Sequence, residues 1–164
     1  KNTLKKFSQV KPLKTTSSGN ILTPITEKYS TIIESTKKKS APEKFFSKLF
    51  ESREMAHVYH LQVKGDMGSH AKHVALQEYY EEVIETIDDL VEIFQGQFGI
   101  IEEYDVIDTS STVKVDPIKY FTELADFIKT ERKCFNEEDT HYFNLIDDVL
   151  VLIYKTLYKL RFTK

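Results

Sequence analysis

Apolar residues recur at three- and four-residue spacings through four separate stretches after Ser40, and no stretch alternates apolar with polar. That period belongs to helices with one buried face, and a chain without strand alternation has little choice beyond packing helix on helix. Ser40, Pro42 and Glu43 form a capping signal ahead of the first stretch. Phe46, Leu49, Phe50, Ala56 and His60 carry the pattern toward Lys64-Gly65. Gly65 and Gly68 bracket a short connection, so the second stretch, read over 70–95 and ending at Gly96, should return antiparallel. Its apolar stripe reads Val74, Tyr80, Ile84, Ile87 and Val91.

Residues 98–115 have no helical pattern and are long enough to cross from one end of a helix pair to the other. Asp116-Pro117 then opens a third helix over 117–132 through Tyr120, Phe121, Leu124, Phe127 and Ile128. Asn136 and the acids after it open a fourth over 137–161, with Phe143, Ile146, Val149, Leu150, Ile153 and Leu157. The reading is an all-α chain: a four-helix bundle over 41–164 behind an extended N-terminal arm, residues 1–40.

Charge separates the same two parts. Residues 1–40 hold nine lysines against Glu27 and Glu34, a balance of +7, so the remainder carries −10 of the net −3. A basic arm on an acidic body suggests contact with nucleic acid or with an acidic protein surface such as neighbouring subunits, through Lys1, Lys5, Lys6, Lys11, Lys14, Lys37, Lys38 and Lys39, the alternative being a solvated, disordered tail. The chain opens at Lys1 rather than at methionine, and we expect residues ahead of it. No apolar run approaches the ~20 residues of a membrane helix. Cys134 is the only cysteine, which excludes a disulfide framework within the chain. No glycine-rich phosphate loop, nucleophile triad or cysteine zinc pattern is present. The nine tyrosines and eleven phenylalanines, without tryptophan, read as bundle core.

Histidine and carboxylate provide the pattern with chemical content. His57, His60, His70 and His73 surround one helix–helix turn. On the second helix His73, Gln77, Asp88 and Glu92 share a sector of roughly 100°. Imidazole with carboxylate is a donor set that iron and similar divalent ions accept. His73 and Asp88 are about 22 Å apart along a helix, so one chain cannot bring both to one ion. A shared site would need two second helices packed antiparallel about a two-fold axis, hence a homo-oligomer. Glu54-x-x-His57 and Glu138-x-x-His141 offer a rival site inside one bundle. The second of these falls in a first helical turn, where an acid is ordinary.

The run His60-Leu61-Gln62-Val63-Lys64-Gly65, then His73, then Asp88-x-x-x-Glu92, resembles the Dps mini-ferritins. In that motif a His-Trp-Asn-x-x-Gly run precedes a histidine, an aspartate one turn on, and an Asp-x-x-x-Glu pair. The likeness spans about 45 residues. It implies a ferritin-like bundle, a metal site between subunits, iron oxidation and storage, and non-specific DNA binding by a lysine-rich tail. Carried over by position, His60 and His73 match one half-site, and Asp88 and Glu92 the other. The segment from His70-Ala-Lys-His73 through Tyr79-Tyr80, with Glu92, Gln95-Gly96 and Gly99, is similar to small Dps-related proteins encoded by tailed phages. That likeness implies a virion or a bacterial host cytoplasm as the setting. Two departures count against a working iron centre: Leu61 stands in place of tryptophan, and Gln77 in place of a ligating aspartate.

Overall fold

The computed structural model describes residues 42–65 and 69–163. The N-terminal arm, the Ser40 cap and the lysines assigned to the arm lie outside the described residues. Four α-helices are present among those described: α1 (Pro42–Gln62), α2 (Ser69–Phe98), α3 (Pro117–Glu131) and α4 (Thr140–Phe162). No strand occurs among them.

Local chemistry sets the ends. Asp116 caps α3, its carboxylate accepting from the N–H groups of Ile118 and Lys119 at 2.9 and 3.3 Å, with Pro117 in the first turn. Two boundaries differ from the sequence reading. Helix α2 does not stop at Gly96 but continues to Phe98, because Gly99 is the glycine with positive φ (+102°). The Gly99 N–H returns to the Gln95 carbonyl at 2.8 Å, and the Gln95 side chain accepts from the Ile101 N–H at 3.0 Å. Helix α4 begins at Thr140 rather than at residue 137. Asn136 instead closes a turn, accepting from the Asp139 N–H on its carbonyl and from the Glu138 N–H on its side chain.

The core is one continuous cluster drawn from all four helices. Helix α2 contributes Leu76, Tyr79, Val83, Ile87, Leu90 and Phe94, all buried. Its inward stripe is therefore rotated from the one read in the sequence: Tyr80 and Ile84 sit half-buried at its edge. The helices alternate in direction around the bundle. α1 and α2 are antiparallel, joined by His60 and His73 at one end, Ser52 and Tyr79 (2.8 Å) in the middle, and Phe46 and Phe94 at the other end. α2 and α4 are antiparallel through a Lys159–Glu78 ion pair and the Tyr142 hydroxyl donating to Gln97 at 2.7 Å. α3 and α4 are antiparallel through Arg161 to Thr122 and Arg132 to Asp147.

The connection from Gly99 to Asp116 runs the length of α1. The Asp105 N–H donates to Ser47 (2.9 Å), Tyr104 meets the Phe50 ring, Gln62 donates to Thr112 (3.3 Å), and the Tyr59 hydroxyl donates to the Val115 carbonyl (2.9 Å). Only a short 3-10 turn, Ser110–Val113, interrupts it. It carries the chain back to the end where α1 finishes, so α3 runs in the direction of α2.

Candidate metal half-sites on the first two helices

The last turn of α1 and the first turns of α2 are held together by their histidines. The His60 and His73 rings stack with centroids 3.6 Å apart and planes inclined by 26°. His60 Nδ1 lies 2.9 Å from the His73 carbonyl oxygen, and His73 Nδ1 lies 3.3 Å from the His60 carbonyl oxygen. A carbonyl only accepts, so each Nδ1 must be the donor. In the neutral ring that places the remaining lone pair on Nε2, which is the atom available to a metal or a proton. The exchange of bonds orients both imidazoles by backbone rather than by other side chains.

Two aromatic neighbours complete the cluster. His57 packs on Tyr80 with ring centroids 4.6 Å apart, and Tyr80 stands edge-on to His60 at 5.4 Å. Sequence reasoning left Tyr80 in the apolar stripe and set His57 with Glu54. The signal was present: Tyr80 follows His73 by two turns of helix, which puts both on one face.

Asp88 and Glu92 are exposed on α2, about 22 Å and more from His73 along an unbroken helix. Within one chain the two pairs do not meet, and among the described residues no three His, Cys, Asp or Glu side chains gather closely enough to hold an ion. Glu81, Glu82, Glu85 and Asp89 are exposed on the same helix and extend its acidic surface. Gln77 is half-buried and donates from Nε2 to Glu81 at 2.9 Å, which leaves its amide oxygen as its only donor atom toward a cation. Glu78 is committed elsewhere, to Lys159 on α4.

The rival Glu-x-x-His pairs fare differently. Glu54 pairs with its neighbour Arg53, and His57 with Tyr80. Glu138 lies before α4 begins, so it lacks the helical spacing to His141 that the motif needs, and both are exposed. Between them the bundle interior is filled by Leu49, Met55, Leu76, Tyr79, Ile87, Leu124 and Ile146. Among the described residues no Asp or Glu is buried in that interior to bridge a metal centre. The candidate groups that remain are an imidazole pair at one end of α2 and a carboxylate pair further along it.

No curated protein and no solved structure matches the chain. One family model matches residues 60–160, well over half of its length and all of α2, α3 and most of α4. The match begins at His60 and takes in His73, Gln77, Asp88 and Glu92, so both candidate pairs lie inside the family's own region. The chain belongs to that family, described as a family of unknown function (DUF5856).

Proposed function

We propose that the chain is a Dps-like protein of ferritin-like fold that acts as an oligomeric structural or binding component, a phage virion part in the setting its resemblance implies, with a weakened metal site between subunits. The observation that carries this reading is the His60–His73 pair: two imidazoles tied to each other's backbone through Nδ1, with Asp88 and Glu92 too far along α2 to serve the same chain. An antiparallel second α2 about a two-fold axis would supply Asp88 and Glu92 to that pair. Ferritin-like bundles have one long crossover, and a single long connection along α1 supports the fold assignment. Gln77 supports the weakening. A neutral amide engaged by Glu81 replaces an anionic ligand, which lowers affinity for a hard dication.

Ferrous iron titration, with oxidation followed by absorbance and retained metal by elemental analysis, tests this. The expected result is slow oxidation and far less than about one iron per subunit. Restoring the carboxylate by Gln77→Asp should raise both at least about tenfold, and adding Asp88→Ala and Glu92→Ala should abolish the gain. Indifference to Gln77→Asp would remove the site assignment.

A second reading, an active mini-ferritin that oxidises and stores iron, draws on the exposed acids along α2, which would raise local ferrous concentration. It requires rapid oxidation by the unaltered chain, at about one iron per subunit or more. Both readings leave DNA or neighbouring subunits to the lysine-rich residues 1–40. Retardation of DNA that weakens with salt and disappears when those residues are deleted would assign them to nucleic acid. Loss of assembly on the same deletion would assign them to subunit contacts.

A further inference from the structure

The crossover along α1 is an exposed strip in which acids and apolar side chains are interleaved. Residues 73–113 contain eleven acids and no lysine or arginine. Four of those acids, Glu102, Glu103, Asp105 and Asp108, follow one another on the crossover, all exposed, and none makes an ion pair among the described residues. Ile100, Tyr104, Val106 and Ile107 are 77, 42, 89 and 45% exposed beside them. Ile101 is buried and Tyr104 meets Phe50, so the strip is fastened to the bundle at two points. Between Ile101 and Asp108 the N–H groups of Ile101 and Asp105 bond to Gln95 and Ser47, and the others have no protein partner among the described residues. Apolar side chains beside unpaired backbone are what a segment of another chain pairs with.

Charge selects the occupant. Lys44 and Lys48, which share a groove of about 300 Å³ with Asp105 and Val106, are offset by Glu43 and Glu51, and Lys48 is paired with Glu51. The strip therefore keeps its negative charge. A second crossover would set four acids against four, and nucleic acid would set phosphate against them. The complement lies in the same sequence. Residues 1–26 carry Lys1, Lys5, Lys6, Lys11 and Lys14 and no acid, and Leu4, Phe7, Val10 and Leu13 are interleaved with those lysines.

We infer that residues 1–14 of one copy dock along residues 100–108 of a neighbouring copy, lysine against acid and apolar side chain against apolar side chain. Residues 15–41 separate that stretch from Pro42 and span at most about 90 Å, twice the roughly 45 Å of α2, so the stretch reaches past its own bundle. The docking rests on the oligomer proposed above and names the surface that receives its arm. It needs no metal at His60 and His73. Lysines held on the strip are withdrawn from nucleic acid.

Carbodiimide, which joins an amine directly to a carboxylate in contact with it, tests the docking on the unaltered full chain, with isotope-labelled and unlabelled copies assembled together. Peptide mass spectrometry should find lysines of residues 1–14 joined to carboxylates of residues 102–108 in mixed-label pairs. Glu102→Lys with Glu103→Lys should lower coupling at Asp105 and Asp108 about tenfold, and adding Lys5→Glu and Lys6→Glu should restore it through Lys1, Lys11 and Lys14. Glu102 and Glu103 are exposed, so circular dichroism should not change with the first pair of substitutions. Absence of coupling at residues 102–108, coupling within single copies alone, or indifference to the charge reversal in a folded chain overturns the docking. Sedimentation of the same samples separates this from the oligomer itself: an assembly without these links refutes the docking alone, whereas a monomer refutes both.

Discussion

Single side chains decide how this bundle responds to alkali. Tyr59 donates to the Val115 carbonyl at 2.9 Å, and burial, helped by Asp116 and Glu123, pushes its hydroxyl up to about 12. Tyr142 is likewise pushed up to about 12 by burial and then by Asp139. An unfolded tyrosine titrates near 10, so between about pH 10 and 12 the unfolded state has released a proton that the folded state retains. Stability from these groups is complete below about pH 10 and is lost as pH rises toward 12, on the order of 2 kcal/mol for each. Tyr59→Phe should flatten the alkaline limb of a urea-unfolding series while costing about 1 kcal/mol at neutral pH for the lost hydrogen bond. An unchanged alkaline limb would remove Tyr59 from that account. At the same scale, His60 and His73 were legible in the sequence as a pair because their spacing brackets a turn. Their reciprocal bonds were not, because a backbone carbonyl has no sequence signature.

Elements were legible where composition and backbone agreed. Asp116-Pro117 reads as a helix start and is one, since cap and ring both act locally. The end of α2 was misread for a physical reason: Gly96 and Gly99 look alike in sequence, and only φ separates them. Gly99 has φ +102° with open space where a Cβ would stand, so Gly99→Ala pays for backbone alone, about 1 kcal/mol in thermal or urea unfolding. Gly96 is inside the helix with equally open space, so Gly96→Ala should stabilise by about 0.5–1 kcal/mol. Opposite signs from two neighbouring glycines would be the signature, and equal signs would refute the assigned helix end. Of the stripe read on α2, Ile87 and Val91 are buried, whereas Val74, Tyr80 and Ile84 are apolar without being central.

Across the whole bundle the two ends are built differently. At the end where α1 begins, Phe45, Phe46, Phe94, Phe135 and Tyr142 pack ring against ring across α1, α2, the link to α4, and α4 itself. Phe94→Ala should cost about 3–5 kcal/mol, a large share of a small domain's total, and should loosen that end first in hydrogen exchange. Four helices in a bundle could be read from period and connection length alone. Which outward faces find partners could not, because exposure is a property of the packed molecule.

The bonds between His60 and His73 have a consequence for the chain's own continuity. Because each imidazole is fastened to the other helix's backbone, that clasp holds α1 and α2 in register at this end, as Ser52–Tyr79 and Phe46–Phe94 do further along. A cut in the chain between Gly65 and Ser69 should therefore leave the two helices in register. New termini placed there should leave the helical circular dichroism of the protein unchanged.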